Sequence, residues 1–280
     1  MSEEYLLSGN DGAYFCLKDR FRTEQFRKAI EETVRPGDVV LDIGAGTGIL
    51  SFFAAAAGAS QVFAVEIDPV MAVSLRKSVQ ANGLGGVITV IEGNALAIAG
   101  PPLPDVLIAE IIDTGLLDEM QIPVIADLHR RGIVSRQTRL IPSAYTTSLT
   151  LVDADNDFYG FQILAPKHEW PFYRQPNAGW YQTLVMDVSE RVEICHVEFR
   201  EPETERHVQR RVKFQVEPGR TANAVRISGV AQLSDSISLS ATNSLSGDKV
   251  LSIEPVSGSA DFDVSYIMGQ GLGSFRLTPV

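Results

Sequence analysis

The sequence has few of the side chains that build disulfide frameworks or metal sites. Only two of its 280 residues are cysteines, Cys16 and Cys195, and they are isolated and far apart. This spacing indicates neither a disulfide framework nor a zinc motif. We also expect no metal site at the histidines, which lack the H-x-x-x-H spacing of zinc enzymes. These four surface or structural histidines are His129, His168, His196 and His207.

Runs of positive charge are also missing. The formal net charge is −11, and the lysines and arginines form no cluster. Because phosphate contacts need such clusters, the composition argues against a general nucleic-acid binder. An acidic surface either attracts cationic partners or only keeps the protein in solution, and charge alone favours the second interpretation.

No hydrophobic run reaches about 18 residues, the length of a membrane span. The start, M-S-E-E-Y, lacks the basic segment and the apolar core of a secretory signal. The sequence therefore predicts a cytosolic protein that does not bind a membrane. Its length and its 45% hydrophobic content are sufficient for two packed units that share an interface.

Apolar runs alternate with helical segments between residues 36 and 142. The runs are V-V-L-D-I, Q-V-F-A-V-E-I, V-I-T-V-I and D-V-L-I-A-E. Continuous apolar strands are typical of a parallel sheet covered on both faces, and their alternation with helices indicates a doubly wound α/β domain. The apolar spacing of residues 17 to 34 predicts one helix that could lie across the top of this sheet.

Polar and apolar residues alternate after residue 142. Examples are T-T-S-L-T-L-V, R-R-V-K-F-Q-V, A-V-R-I-S-G-V-A, S-I-S-L-S and D-F-D-V-S-Y-I. A period of two predicts antiparallel strands that are buried on one face, and we expect a β-barrel or sandwich. Residues 166 to 180, rich in proline, glycine and aromatic residues, predict an excursion from this β unit.

A glycine-rich turn, V-V-L-D-I-G-A-G-T-G, lies where the first strand meets a helix. Glycine lets a nucleotide-type ligand approach the backbone closely; the alternative is a tight turn alone. A dinucleotide pattern beginning at Gly44 requires Gly or Ala at position 49, and Ile49 weakens an NAD interpretation. Glu66 lies 22 residues after Gly44, close to the spacing at which an acid binds ribose hydroxyls. Together these features predict a cofactor site.

Two glutamates flank the loop in A-E-I-I-D-T-G-L-L-D-E-M, residues 109 to 120. Glu110 follows a strand at its carboxyl end, where open α/β sheets bind ligands. Glu119 comes nine residues later, after the turn at Gly115. A loop that returns on itself can direct both acids at one cation. The matching group is a guanidinium, which is planar, always charged and well suited to bidentate pairing with carboxylates.

These motifs resemble a known enzyme family. The pattern D-x-G-x-G-x-G from Asp42 is similar to motif I of methyltransferases that bind S-adenosylmethionine. The pattern E-x-x-D-T-x-L-x-x-E from Glu110 to Glu119 resembles the protein arginine methyltransferase family, and most closely its monomethylating branch. Similar segments at residues 17 to 23, in R-L-I-P-S-A and in D-F-Y-G-F extend the resemblance over most of the chain.

The resemblance implies a Rossmann-like methyltransferase domain followed by an antiparallel β-barrel. We therefore expect a helical cap over residues 1–35, the Rossmann-like domain over 36–142 and the β unit over 143–280. It also implies a head-to-tail homodimer joined by an arm, for which residues 166–182 are the best candidate. The implied cofactor is S-adenosylmethionine, held by Arg22 at its carboxylate, Asp42 at its amino-acid end, Gly44 and Gly46 at the turn, and Glu66 at the ribose.

The sequence departs from the family pattern at the adenine contact and in a loop of the β-barrel, and it also lacks the family's tyrosine-rich helix over the cofactor pocket. Leu96 replaces the family's adenine-contacting glutamate, so Asn94 or backbone groups are expected to contact the adenine. The nearest match to the family's Thr-His-Trp loop is T-N-S at residues 242 to 244. This change removes a histidine often proposed as a proton outlet and alters the surface on which a protein substrate would rest.

The resemblance implies that Glu110 and Glu119 hold the guanidinium and concentrate its charge on the nitrogens that are not attacked. The remaining nitrogen then attacks the methyl group in line. Asp113 and Asp118 either support these glutamates or are solvated, and for Asp118 the solvated interpretation is preferred.

The sequence leaves several substrates open. The altered loop and short arm slightly favour free L-arginine or a small guanidino compound, because they reduce the surface available to a protein. The alternatives are arginine in proteins or peptides, an unrelated amine nucleophile, and a non-catalytic cofactor-binding or scaffold protein.

Overall fold

Apolar runs in the first half of the chain form a five-stranded parallel sheet in the computed structural model, which describes residues 10–99, 103–170, 184–200 and 206–280. The strand order is β3-β2-β1-β4-β5. These strands are β1 (Val39–Ile43), β2 (Gln61–Glu66), β3 (Ile88–Glu92), β4 (Val106–Ala109) and β5 (Arg139–Ile141). The accompanying helices are α1 (Asn10–Lys18), α2 (Arg20–Thr33), α3 (Ile49–Ala56), α4 (Pro69–Ala81) and α5 (Gln121–Arg130).

The two central strands carry the most uniformly apolar sequences. All four residues of β4 are buried, and β1 is buried from its second residue onward. β1 pairs with both β2 and β4 in parallel, so the carboxyl ends of these three strands meet at one edge of the sheet. This topology agrees with the predicted doubly wound domain and brings Gly44, Glu66 and Glu110 to the edge where such sheets bind ligands.

The N-terminal helix differs from its prediction. Residues 17 to 34 were expected to form one helix, but α1 ends at Lys18 and α2 begins at Arg20. The break occurs at Asp19, because its side chain accepts a hydrogen bond from the Arg22 backbone N–H at 3.0 Å and caps α2. Its second carboxylate oxygen accepts from the N–H of Leu245 at 2.7 Å. Asp19 therefore sets the direction of α2 and fastens it to the second half of the chain.

The second half of the chain forms antiparallel sheets, as its alternating sequence predicts. A seven-stranded sheet has the path β10-β6-β13-β15-β9, with β11 beside β6 and β14 beside β13; β12-β16-β17 form a three-stranded sheet, and β7-β8 a hairpin. The strands are β6 (Ala144–Ala154), β7 (Asp157–Phe158), β8 (Phe161–Gln162), β9 (Lys167–Glu169), β10 (Val185–Asp187), β11 (Val192–Glu198), β12 (His207–Gln215), β13 (Ala222–Gln232), β14 (Ser238–Ser240), β15 (Asp248–Val256), β16 (Ser259–Ile267) and β17 (Arg276–Pro279).

One continuous apolar core joins the two halves. It contains Leu107 and Ile122 from the first half together with Ile227 and Phe262 from the second. Shared burial of this kind fixes the loop after β4 against the antiparallel sheet. None of the helices that the structure describes is long and apolar enough to span a bilayer.

The predicted arm at residues 166–182 falls mainly outside the described residues, which omit 171–183. Its first part is β9, which pairs antiparallel with β15. The described beginning of this segment is therefore a sheet strand. The arm and the domain boundaries remain predictions.

Candidate active site

The glycine turn after β1 has a backbone that other residues rarely adopt. Gly44, Gly46 and Gly48 have φ angles of 72°, 54° and 85°. A Cβ atom at Gly44 would lie 2.7 Å from Cγ2 of Ile111, so a side chain there would collide with the residue after Glu110. The turn therefore needs glycine both for its conformation and for its close approach to the end of β4.

Two predicted cofactor acids border this turn. Glu66 accepts hydrogen bonds from the backbone N–H groups of Gly46 at 2.6 Å and Asp68 at 2.8 Å. Asp42 accepts from the Ser51 hydroxyl at 2.6 Å through Oδ2, while its buried Oδ1 has no hydrogen-bond partner among the described residues. Burial raises the pKa of Asp42 to about 7, with Ser51 opposing the shift. Asp42 thus has one buried acceptor atom available for a donor.

Asn94 lies near the same edge, at the end of β3. Its side-chain oxygen accepts from the Leu96 N–H at 2.9 Å, and the N–H of Gly93 donates to the carbonyl of Glu66 at 2.9 Å. Asn94 therefore closes a turn beside the end of β2. The side chain of Leu96 is 38% exposed.

Arg22 and Glu110 form a buried ion pair between α2 and the end of β4. Arg22 is only 4% exposed, and its guanidinium lies over the Phe26 ring with the central carbon 5.1 Å from the ring centroid. Burial alone would lower the pKa of Arg22, but Glu110, together with Cys16 and Asp19, raises it overall. Burial raises the pKa of Glu110, and Arg22 opposes that rise. The end of β4 therefore already binds a guanidinium group.

Glu119 shares the electrostatic environment of Glu110. Burial raises the pKa of Glu119 to about 8, and the negative charges of Glu110 and Asp113 add to the rise. Arg22 and Lys249 act in the opposite direction. The structure thus brings the two predicted glutamates and Arg22 together, in a region where a second guanidinium would relieve the repulsion between carboxylates.

The loop between the two glutamates, residues 110–119, is here called the clamp loop, and it is fixed to the antiparallel sheet. The N–H of Gly115, where φ is 80°, donates to the Tyr145 hydroxyl at 3.2 Å. The Thr114 hydroxyl donates to the carbonyls of Ser246, at 3.1 Å, and Gly247. A glycine conformation and contacts with distant strands therefore determine the path of the loop.

Asp118 is exposed, as the solvated interpretation expects, but it also has fixed partners. Its side chain is 42% exposed, yet it accepts from the Lys249 ammonium at 2.7 Å and from the Leu272 N–H at 2.9 Å. Asp113 accepts from the same ammonium at 2.9 Å. Sequence reasoning missed Lys249, because a lysine in an alternating strand gives no sign of its distant partners.

The helix α1 lies beside the same carboxylates. Burial raises the pKa of the Cys16 thiol to about 11; Glu110 and Glu119 raise it further and Arg22 opposes them. Cys16 is therefore a protonated, weakly nucleophilic thiol next to the clamp loop.

The region that replaces the family's Thr-His-Trp loop forms a short 3₁₀ helix, Ala241–Asn243. Its Thr242 hydroxyl donates to Asp248 at 3.0 Å. Within the described ranges, no three His, Cys, Asp or Glu side chains form a group suited to a metal ion.

Comparisons with known sequences agree with this arrangement. Residues 23–157 match a family described as ribosomal protein L11 methyltransferase (PrmA). An uncharacterized protein of Methanocaldococcus jannaschii is 36% identical over 141 residues, which cover 50% of this chain and 54% of that protein. The arginine N(omega)-methyltransferase of Streptomyces achromogenes subsp. streptozoticus is 36% identical over 147 residues, which cover 51% of this chain and 40% of that protein. The ribosomal protein arginine N-methyltransferase rmt3 of Schizosaccharomyces pombe is 34% identical over 168 residues, which cover 56% of this chain and 31% of that protein.

The chain therefore spans about half or less of the length of these curated relatives. Solved structures resemble it over nearly its full length. A Trypanosoma brucei PRMT1 enzyme-prozyme heterotetrameric complex with AdoHcy has a TM-score of 0.74 at 19% identity, covering 98% of both chains. Arabidopsis thaliana protein arginine methyltransferase 10 has a TM-score of 0.74 at 19% identity, covering 93% of this chain and 89% of its own. This likeness confirms the predicted fold, a Rossmann-like domain followed by an antiparallel β domain.

Proposed function

We propose, from the relationship of this chain to the protein arginine methyltransferases, that it is an S-adenosylmethionine-dependent N-methyltransferase acting on the guanidino group of arginine. One observation carries the proposal: Glu110 binds the guanidinium of Arg22, and the partly buried Glu119 shares its electrostatic environment. Two carboxylates around one site are suited to a planar cation with paired N–H donors.

The donors and acceptors at the sheet edge fit this cofactor. The unpartnered Oδ1 of Asp42 can accept a hydrogen bond from the amino group of S-adenosylmethionine. The Arg22 guanidinium has five N–H donors, enough to bind both Glu110 and the carboxylate of S-adenosylmethionine. Glu66 retains lone pairs for ribose hydroxyls, and Asn94 lies near the end of β2 for the adenine. When bound, S-adenosylmethionine supplies a methyl group activated by the sulfonium to which it is attached.

The glutamates make the acceptor nucleophilic. A guanidinium has little lone-pair density on any nitrogen, since its pKa is above about 12. Glu110 and Glu119 hold two of its nitrogens and concentrate the positive charge there, which leaves the third nitrogen more nucleophilic. The attacked nitrogen loses its surplus proton late in the methyl transfer. Glu119 can accept it, because a methylated guanidinium that still carries this extra proton is a far stronger acid than a carboxylic acid.

We propose free L-arginine or another small guanidino compound as the acceptor. The family's Thr-His-Trp loop is absent from the sequence, and Thr242 in the corresponding region is bound to Asp248. A relative named arginine N(omega)-methyltransferase supports this choice. Arginine in a polypeptide is the second candidate, supported by a relative named for ribosomal protein arginine methylation.

We also propose that two copies form a homodimer. The resemblance to the arginine methyltransferases implies this assembly. Exposed apolar side chains, of the kind that interfaces between subunits cover, lie in sequence on both sides of the segment expected to form the arm. They are Phe161, Ile163, Leu164, Leu184 and Met186. A cytosolic location remains a prediction from the sequence.

The test uses purified protein and methyl-labelled S-adenosylmethionine. Free arginine, an arginine-rich peptide and lysine are compared as acceptors, because lysine carries an amine without a guanidino group. Transfer to arginine but not lysine is expected, with a loss of activity in Glu119→Gln and none in the exposed control Glu254→Gln. Cofactor binding without transfer to any guanidino compound would instead indicate a non-catalytic protein.

A further inference from the structure

A buried lysine lies between the clamp loop and the antiparallel sheet. Lys249 is on β15, opposite Ile227 of β13 and His168 of β9, and is only 5% exposed. Lysine is almost never buried to this extent unless it is paired. Burial lowers the pKa of Lys249, but its aspartate partners more than offset this and raise it, so the ammonium is charged.

Both partners of this ammonium belong to the clamp loop. Lys249 Nζ donates to Asp113 at 2.9 Å and to Asp118 at 2.7 Å. The second oxygen of Asp113 accepts from the backbone N–H of Glu119 at 3.2 Å, and the second oxygen of Asp118 accepts from the N–H of Leu272 at 2.9 Å. One side chain therefore connects β15 through Asp113 to the backbone of a proposed catalytic glutamate.

We propose that Lys249 is a positioning residue for the methyl transfer: its ammonium holds Asp113, which in turn holds the backbone of Glu119, and so places Glu119 in the site and favours the ionised form of its side chain. This inference rests on the proposed function and adds a group that the sequence motifs did not single out. Among the other loop contacts described, those of Thr114 and Gly115 are neutral.

Charge gives Lys249 a second effect on Glu119. The charged groups that influence Glu119 are Glu110 at the end of β4, Asp113 in the loop, Arg22 on α2 and Lys249 on β15. Two of these groups are negative and two are positive. Removing Lys249 leaves both aspartates without their cation and makes the ionised form of Glu119 harder to maintain. His168 on β9 faces the same three loop and sheet charges, so its titration must be followed as well.

A purely structural ion pair would give a different result. Buried pairs are often no more stabilising than apolar side chains of similar size, and their loss can lower stability without touching the chemistry. Such a role would change the melting temperature alone. A positioning role must also move the titration of Glu119 and the turnover rate.

The experiment compares Lys249→Met and Lys249→Arg with the wild type and with Lys213→Met, a matched change at an exposed position on β12. The ionisation midpoint of Glu119 is measured by ¹³C carboxyl NMR, with the resonance assigned from Glu119→Gln and histidine resonances recorded in parallel. The kcat and the KM values for arginine and S-adenosylmethionine are measured against pH. If Lys249→Met does not yield folded protein, Lys249→Gln takes its place.

We expect Lys249→Met to raise the Glu119 midpoint by about one pH unit, the size of shift that one neighbouring charge causes. At a pH below that midpoint, kcat should fall on the order of tenfold, while the KM for S-adenosylmethionine stays within about twofold. Lys249→Arg should restore the midpoint, and Lys213→Met should match the wild type.

An unchanged Glu119 midpoint and an unchanged kcat in Lys249→Met would overturn the inference, even if the variant melts at a lower temperature. Absence of methyl transfer in the wild type would refute the proposed function separately. In that case the ionisation midpoint of Glu119, measured by NMR, would still test whether Lys249 positions Glu119. An unshifted midpoint in Lys249→Met would overturn that inference.

Discussion

The raised pKa of Glu119 predicts a specific pH dependence for arginine methylation. Burial raises this pKa from 4.5 to about 8, and Glu110 and Asp113 add to the rise. Only the ionised carboxylate can form a charge-assisted pair with a guanidinium. Because a raised pKa keeps the acid protonated to higher pH, the kcat/KM for a guanidino acceptor should increase as the pH rises through about 8.

The size of the effect follows from the same value. At about pH 7, one unit below the pKa, roughly a tenth of the molecules carry an ionised Glu119, so kcat/KM should be about a tenth of its plateau. A glutamate with the ordinary pKa of 4.5 would be almost fully ionised and give no slope in this range. Glu119→Gln should lose this slope and fall on the order of a hundredfold below the plateau.

Initial rates are measured with labelled S-adenosylmethionine from about pH 6 to about pH 9. The acceptor is 4-guanidinobutyrate, because it has no amino group that titrates in this range. Glu254→Gln should follow the wild type, since Glu254 is exposed. A flat kcat/KM across the whole range, from folded and active enzyme, would refute the role of ionised Glu119 in binding the guanidinium.

Three further predictions concern the same residues. Glu119→Gln should be more stable than the wild type, by a difference in unfolding free energy that grows to a few kcal/mol as the pH rises from about 4.5 to about 8. The reason is that Glu119 of the folded wild type holds a proton in this range, which the unfolded chain releases. Melting curves at several pH values check this. A melting advantage that does not change with pH would contradict it. Gly44→Ala should cost about 1–3 kcal/mol and weaken S-adenosylmethionine binding, since φ is 72° and a Cβ would meet Ile111. Gly83→Ala, with a similar φ but open space around it, should leave binding unchanged in calorimetry. Arg22→Gln should lower the affinity for S-adenosylmethionine and destabilise the fold by about 3–5 kcal/mol, since it leaves Glu110 buried without its partner, whereas Arg22→Lys should retain part of both. Equal affinity in Arg22→Gln and the wild type would remove Arg22 from the cofactor site.

Much of the fold follows from local sequence patterns. The apolar runs that predict β1, β2, β3 and β4 are long enough to define buried parallel strands, and the period of two after residue 142 predicts the antiparallel half. The predicted resemblance to arginine methyltransferases is confirmed by curated relatives that are 36% and 34% identical over 51% and 56% of this chain, and the predicted fold is confirmed by solved structures. β11 and β15 were not predicted: a register shift between Glu193 and Cys195 interrupts the alternation of β11, and two adjacent charged residues and a proline interrupt that of β15.

The features of the site that were missed depend on contacts between distant parts of the chain. Asp19 breaks the first helix because its two oxygens cap α2 and accept from Leu245. Asp118 was expected to be solvated because its sequence neighbours do not reveal Lys249, which lies 131 residues away. The spacing of Glu110 and Glu119 indicates which group the loop can hold. The contacts of Lys249 with the clamp loop can be identified only from the structure, in which β15 lies beside this loop.

The central claim is that this site methylates a guanidino nitrogen. The most direct measurement is mass spectrometry of the product formed from arginine and isotope-labelled S-adenosylmethionine, with fragmentation to locate the methyl group. We predict that the label lies on the guanidino group, in a product formed by the wild type and not by Glu119→Gln. Failure to label arginine or any other guanidino compound, or label on the amino or carboxyl end of arginine instead, would contradict the claim.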